Sequence, residues 1–485
     1  MSPRPVDQQS KKVRPPPTLS IVMPVLNEGT ALARRIQALA PLRARGAELI
    51  VVDGGSTDST WTIACALADR VLSAPSGRGS QMNAGSREAT ADALLFLHAD
   101  TALPPEADLL IARALTAGSL WGRFDVRIEG SHPMLRVIAW LMNQRSRLIG
   151  IATGDQGIFV GRAVFESLGG FADMPLMEDI ELSTRLRKRG APACLAAWVI
   201  TSGRRWEARG VWRTMALMWW LRAAYFFGAS SAALARQYGY APRPEVATAA
   251  LAIMARAPIA GQAKTRLAPL LGMQGAARAQ RYFTRRTLHL AAAVAADMGN
   301  VTLWCSPDAG QRFFRALHCV DGVALKSQGE GDLGTRMRQV FAHHFAHSPS
   351  VTNKSAQALL LMGTDCPVLA PGHLQAAARA LQQHDVVVVP AEDGGYVLIG
   401  MRRPVLEVFE GIDWSTPRVM AQTRAQLTPA GASWFELPTL WDVDVPADWL
   451  RLLQLTGDGV MRGRRLPKRP PAPPDTGGNG DQAGR

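Results

Sequence analysis

Two successive series of short apolar runs, each run ending in a polar or acidic residue and followed by a helical stretch, organise this chain of 485 residues. LSIVMPV, AELIVVD and ALLFLHAD form the first series, with segments such as ALARRIQALAPLRARG between them. ALAIMARAP opens the second, which continues through NVTLWCSP, ALLLMGTDCP and DVVVVPAEDGG. Apolar runs without polar alternation suit strands buried on both faces, and their alternation with helices predicts a parallel sheet covered by helices. The length exceeds what one core usually holds. The expected fold class is therefore α/β: two tandem Rossmann-like domains, each a mainly parallel sheet covered by helices. The first is expected at 18–240 and the second at 249–456, joined by the linker APRPEVAT at 241–248. Residues 1–17 read as a disordered leader. Residues 457–485 read as a disordered tail, because their Pro-, Gly- and Arg-rich composition cannot build a core.

A hydrophobic content of 47% is that of a globular protein. The formal net charge of +14 suits nucleotide phosphates or an anionic membrane surface, and equally an arginine-rich composition with no polyanion partner. No recognised nucleic-acid-binding motif accompanies it, so nucleic acid is not an expected partner. Five cysteines, an odd count with no CxxC pair, argue for a reducing compartment and against a disulfide framework or structural zinc site. The N-terminal residues hold no apolar core of signal-peptide length. The expected location is the cytoplasm, with peripheral attachment to the inner face of the membrane as an option.

Ligands of open α/β sheets bind beyond the carboxyl ends of the strands. Pro24, Asn27 and Glu28 in PVLNEG, Asp53 and Ser56 in VVDGGSTDST, and Asp100 in LHADT sit in or just past apolar runs, so they are expected along one edge. Asp53, in a Gly/Ser loop, can accept hydrogen bonds from a base or ribose. Asp100 is the candidate ligand for Mg²⁺ or Mn²⁺, hard ions that bind a diphosphate through oxygen. Singly, a strand-end acid reads as a turn or cap residue; the ordered set points to a nucleotide-activated sugar. Arg78 and Asn83 in APSGRGSQMNAG are candidate phosphate or sugar contacts, and Asp155 and Gln156 in GDQG are assigned to the acceptor side. Glu178 and Asp179 open a helix soon after Pro175, where the helix dipole favours the ionised carboxylate a general base needs. Plain capping is compatible with the same placement. In SGRRWE, Arg204 and Arg205 are placed to hold a leaving diphosphate, and Trp206 to stack on a ring.

The segment 210–239 is an apolar run broken by Arg222 and flanked by Arg209, Arg213 and Arg236. A spanning helix needs about 20 largely apolar residues. A Trp- and Arg-rich helix lying on an anionic membrane surface fits better, and a helix packed on the domain's own core or in a dimer interface fits equally well.

In the second series, MARAPIAGQAKTRLAPLLG places Gly261, Lys264 and Arg266 in a loop between a strand and a helix. Backbone N–H groups and two cations there can wrap a nucleoside triphosphate, although the GKS/T of a P-loop is missing. Asp365 in MGTDCP and Asp393 in PAEDGGY end strands, and Asp442 and Asp444 follow in WDVDVPADW. Asp365, Asp393 and Asp444 are the candidate metal ligands; Asp448 reads as a helix cap.

Through LNEG, VVDGGSTDST, LHADT and MED, residues 18–240 resemble the family-2 inverting glycosyltransferases of the GT-A fold. LHADT, GDQGIF, the GGF–MED run and RRWE are similar, more narrowly, to the radical-SAM/selenodomain-associated subgroup, of arsenosugar-biosynthesis type. The resemblance implies UDP- or GDP-sugar binding by Asp53, a metal around Asp100 and Asp179 as base. The usual DxD is here His98-Ala99-Asp100, which leaves a single carboxylate. Through KTRL, GTDCP, EDGGY and DVDVPADW, residues 249–456 resemble the GT-A-like nucleotidyltransferases, in particular the phospholactate guanylyltransferase-like group called transferase 1. KTRL stands where many sugar nucleotidyltransferases have GxGxRM. A bifunctional transferase is expected: inverting glycosyl transfer to an acceptor hydroxyl in the first domain, nucleotidyl transfer or nucleotide binding in the second. The alternative is a glycosyltransferase whose second domain is a silent binding or dimerisation module.

Overall fold

The computed structural model describes residues 18–29, 31–239, 248–295, 298–317, 323–347 and 358–456. The leader, the tail and all but the last residue of the linker lie outside them. The first sheet is built from β1 (Ser20–Val25), β2 (Glu48–Asp53), β3 (Arg70–Ser73), β4 (Ala93–Phe96), β5 (Thr101–Ala102), β6 (Trp121–Glu129), β7 (Ile158–Gly161) and β8 (Ala193–Ser202). The second is built from β9 (Ala250–Arg256), β10 (Val301–Ser306), β11 (Val323–Ser327), β12 (Leu359–Met362), β13 (Val386–Pro390), β14 (Tyr396–Met401) and β15 (Trp434–Glu436). Their orders are β3-β2-β1-β4-β7-β6-β8-β5 and β11-β10-β9-β12-β14-β13-β15. With the two-residue β5 set aside, the orders are the same. The shared sequence layout is therefore a shared topology.

Every position of β1 and β2 is buried, as apolar runs without alternation require. β1 pairs in parallel with β2 on one side and with β4 on the other, and β9 does the same with β10 and β12. Each sheet then turns mixed. β7 runs antiparallel to β4 and β6, and β14 antiparallel to β12 and β13. The reversal at β14 needs only the short AEDGG connection, since antiparallel neighbours can be joined by a tight hairpin. Because the chain leaves β1 toward β2 but returns at β4, a crevice opens beyond their carboxyl ends. The loops carrying Asn27, Glu28, His98 and Asp100 flank it.

The two units share one continuous apolar core, running from Leu19 to Leu452. Trp61, on the helix Thr60–Leu67 of the first, is fully buried and stacks on His289 of the second at 5.7 Å between ring centroids. Beside it, Thr62 Oγ1 donates to the Pro367 carbonyl at 2.6 Å and accepts from Arg286 Nη2 at 3.1 Å. Gly372 lies so close to the Gly55 and Ser56 carbonyls that a Cβ would collide with them. The loop after β2 is thus shaped partly by the second unit. No helix among the described residues is long and apolar enough to cross a membrane.

Candidate active site

Beyond the end of β4 the chain presents His98 and Asp100, and the short turn Gly154–Gln156 ahead of β7 presents Asp155. One ligand atom from each of these three residues lies within 4.8 Å of the others, with His98 Nδ1 3.2 Å from Asp155 Oδ1. Gly154 permits this approach, because a Cβ there would strike the His98 ring. One imidazole and two carboxylates make a donor set that fits a divalent ion through nitrogen and oxygen.

The helix Glu178–Arg187 begins after Met177, which adopts φ 71°. A residue with a Cβ costs about 1–2 kcal/mol in that left-handed region, and the turn aims the first helical residues into the crevice. Asp179 Oδ2 accepts the Gly154 N–H at 2.9 Å and Oδ1 accepts the Ile180 N–H at 2.7 Å. The base candidate is therefore tied to the same loop that carries Asp155. Glu178 is buried; burial first and the Asp179 charge second push its carboxyl up to about 7, against the pull of Arg78 and His98. A cavity of about 320 Å³ opens here, lined by Arg78, Asp100, Asp155, Glu178, Asp179 and Trp206, with His98 between them. Glu28 faces the same charges: burial and then Asp100 raise its carboxyl, and Arg204 and Arg78 oppose them.

Other residues selected from the sequence build the frame. Asp53 is fully buried and accepts from the Ser56 hydroxyl, the Ser56 N–H at 3.0 Å and the Gly55 N–H at 3.1 Å. Burial pushes its carboxyl up to about 6 although these bonds pull it down. Asn27 ties its loop to Asp53's, accepting the Thr57 N–H and donating its own N–H to Ser56 Oγ, both at 2.9 Å. Asn83 pairs with the N–H and carbonyl of Phe171. The Gln156 amide is buried against Asn143 and Ser146, and Pro24 is buried inside β1. Arg204 Nε donates to Ser202 Oγ at 3.1 Å, while the Arg205 side chain lies outside the described set. Of the basic residues lining this cavity, three were not selected from the sequence as site residues: His98, Arg145 and Arg222. The signal for Arg222 was present, as the charge interrupting an apolar run.

In the second unit a cavity of about 550 Å³ lies at the corresponding sheet edge, lined by Lys264, Arg266, Asp365, Asp393, Asp442 and Asp444. Lys264 is turned inward: its Nζ contacts Asp444 at 2.7 Å, Asp365 at 2.9 Å and the Val443 carbonyl at 2.6 Å. Burial lowers its affinity for the proton, but Asp365 and Asp444 outweigh that and raise it. Asp442 is pushed up to about 7 by burial, then by Asp393 and Asp444. Gly261, at φ 79°, makes the turn that leads into this loop. Asp448 accepts the Asp444 and Val445 N–H groups at 3.0 and 2.9 Å and so fixes Asp444. Arg256 and Arg336 line the same cavity.

Two family models match the chain. Glycosyl transferase family 2 matches residues 20–165, and an uncharacterized protein family conserved in bacteria (DUF2064) matches residues 289–416. Among curated proteins, the chain is 26% identical over 228 residues to "Probable glycosyltransferase YdaM" of Bacillus subtilis, covering 42% of this chain and 54% of that protein. It is 38% identical over 109 residues to a PGL/p-HBAD biosynthesis glycosyltransferase of Mycobacterium tuberculosis, covering 21% of this chain and 42% of that one. The chain thus spans about half the length of these relatives. Among solved structures, a "putative nucleotide-diphospho-sugar transferase" from Desulfovibrio desulfuricans is 26% identical at a TM-score of 0.37, covering 44% of this chain and 97% of that one. The crevice around Asp100 and Asp155 therefore lies in the region that matches the glycosyl transferase family 2 model, ahead of the region that matches DUF2064.

Proposed function

We propose that the first unit transfers a sugar, with inversion, from a UDP- or GDP-linked donor to an acceptor hydroxyl. The observation that carries this reading is the meeting of Asp179 with His98, Asp100 and Asp155 in one cavity of a glycosyl transferase family 2 domain. Asp179, held by two backbone N–H groups, takes the proton of the acceptor hydroxyl. The acceptor oxygen bonds to the anomeric carbon as the bond from that carbon to the diphosphate breaks on the opposite face. Arg78 and Arg204 face the departing charge, and Trp206 offers a ring for stacking. Held by His98, Asp100 and Asp155, Mg²⁺ or Mn²⁺ would supply positive charge to the diphosphate. The loop of Asp53 and Ser56, locked by Asn27, frames the nucleoside end. Incubation with a panel of nucleotide-sugars and either metal, with detection of released nucleoside diphosphate, tests the reading. Asp179→Asn keeps the size of the side chain but takes no proton, so turnover should fall ~100-fold or more with donor binding intact. Undiminished turnover in that variant would remove Asp179 from the mechanism.

For the second unit we infer triphosphate binding with nucleotidyl transfer. The supporting observation is four carboxylates gathered around one buried lysine in a cavity that also holds Arg256, Arg266 and Arg336. Lys264 organises Asp365 and Asp444, which leaves the arginines to meet phosphate. GTP and other triphosphates should bind the full-length protein in a magnesium-dependent way, and Asp365→Ala should abolish this while nucleotide-sugar binding persists. If no common triphosphate binds, the second unit is a silent module. The exposed aromatic side chains of the segment 210–239 support peripheral attachment to an anionic membrane on the cytoplasmic side.

A further inference from the structure

The helices Met134–Ile149 and Val211–Phe226 each turn one face into the cavity of the first unit. From the first come Leu141, Met142 and Arg145; from the second come Met218, Trp219 and Arg222. Both sets follow the three- and four-residue steps of a single helix face, and both pass from apolar residues to an arginine. Both arginines line the same cavity as Asp179; each feels the Asp179 charge, and Arg145 also feels that of Arg222. Asp179 does not pair with them; its oxygens are engaged by the Gly154 and Ile180 N–H groups. Nε and Nη2 of Arg145 are shut off from solvent and have no partner among the described residues. Burial, then the neighbouring Arg222, push the Arg145 guanidinium down to about 10. Two like charges facing one partly buried cavity are costly unless an anion lies between them.

We propose that this end of the cavity binds the phosphate of a membrane lipid, which is the acceptor. Arg145 and Arg222 hold the phosphate, for which paired guanidiniums supply several directed donors. The apolar body runs along Leu141, Met218 and Trp219 toward the rim, where Trp219 is 61% exposed. A hydroxyl of the headgroup then faces Asp179. The donor diphosphate occupies the other end, with His98, Asp100 and Arg78, so the two phosphate-bearing substrates have separate sites. A soluble anion would need the arginines but not the apolar wall; a neutral glycolipid would need the wall but not the arginines. For its chemistry, though not for its binding, the proposal rests on the glycosyl-transfer reading.

The full-length protein is titrated with dodecyl phosphate below its micelle concentration, with dodecyl maltoside and with inorganic phosphate, following tryptophan fluorescence and Tm. Dodecyl phosphate should bind and raise Tm, and the other two should bind at least about tenfold more weakly. Arg145→Gln and Arg222→Gln should each weaken dodecyl phosphate binding about tenfold or more. Neither change should weaken nucleotide-sugar binding, and ligand-free Arg222→Gln should melt no lower than wild type, because a buried repulsion has been removed. Equal binding of dodecyl maltoside, inorganic phosphate matching dodecyl phosphate, or wild-type affinity in both variants would each overturn the proposal. Should Arg145→Gln fail to fold, Arg222→Gln alone decides. Nucleotide-sugar binding is read in the same samples. Its absence beside intact dodecyl phosphate binding counts against the glycosyl-transfer reading and leaves the lipid site standing.

Discussion

At Gly154 the absence of one methyl group lets His98, Asp100 and Asp155 meet. A Cβ at this position collides with the His98 ring, so Gly154→Ala should displace the imidazole and weaken metal-dependent nucleotide-sugar binding. Overpacking of this kind costs about 1–3 kcal/mol, roughly a tenfold to hundredfold loss, which calorimetric titration with Mn²⁺ present and with EDTA would detect. Asp155 supplies a sharper test, since the sequence placed it on the acceptor side and the structure sets it beside His98. If it holds metal, Asp155→Ala should lower donor affinity only when the ion is present. A change confined to acceptor KM would return it to the acceptor. His98 shows what a motif hides: HAD looks like a DxD with one carboxylate, yet the fold sets a second carboxylate, Asp155, beside it from a loop 57 residues away.

At the scale of elements, the helix Val211–Phe226 joins two readings that the sequence kept apart. Val211, Thr214 and Leu221 are buried, so the helix packs on its own domain. Trp219, Trp220, Phe226 and Phe227 remain 60–84% exposed, and Arg213 lies on the same element. Arg222, a flaw in a purely interfacial helix, is accounted for because it points into the cavity. The helix should bind anionic vesicles at low salt and release them at high salt without detergent. Phe226→Ser combined with Phe227→Ser should abolish co-sedimentation while changing stability by no more than about 0.5 kcal/mol, as expected for exposed positions. Unchanged vesicle binding would place the contact elsewhere.

For the whole molecule, the joint between the units sets cooperativity. Thr62 bridges Arg286 and the Pro367 carbonyl, so Thr62→Val should cost about 1–3 kcal/mol by leaving buried groups unpaired. Calorimetry should show this as a lower Tm or as a splitting of the transition. His289, stacked on Trp61 beside the charged Arg286, gives the joint a pH dependence. Burial holds the imidazole down to about 4 in the folded chain, against 6.5 as the ordinary value. The unfolded chain therefore binds the proton more readily between these values, and stability is lost as pH falls from about 6.5 toward 4, at up to about 1.4 kcal/mol per pH unit. Above 6.5 both states are neutral at this residue and its contribution is flat. His289→Gln should flatten the acid limb of a Tm-versus-pH curve; an unaltered limb would assign the sensitivity to other groups.

The alternation of apolar runs with helical segments is a local property, so the α/β class and the two sheets could be read from the sequence alone. The same holds for acids just past strand ends: Asp100 and Asp365 fall at corresponding corners of two sheets with one topology, because strand length and burial fix where a chain emerges. What the sequence could not fix is which side chains meet after the chain returns. The reversal of β7 and β14, the joining of His98 to Asp155, and the pairing of Lys264 with Asp444 across 180 residues depend on long-range packing. The same is true of the fate of polar groups near the edge. Asn27, Asn83 and Gln156 read as ligand contacts in sequence; the fold adds the backbone and side-chain partners that hold them in place. A buried polar residue needs hydrogen-bond partners, and only tertiary structure decides which protein groups supply them.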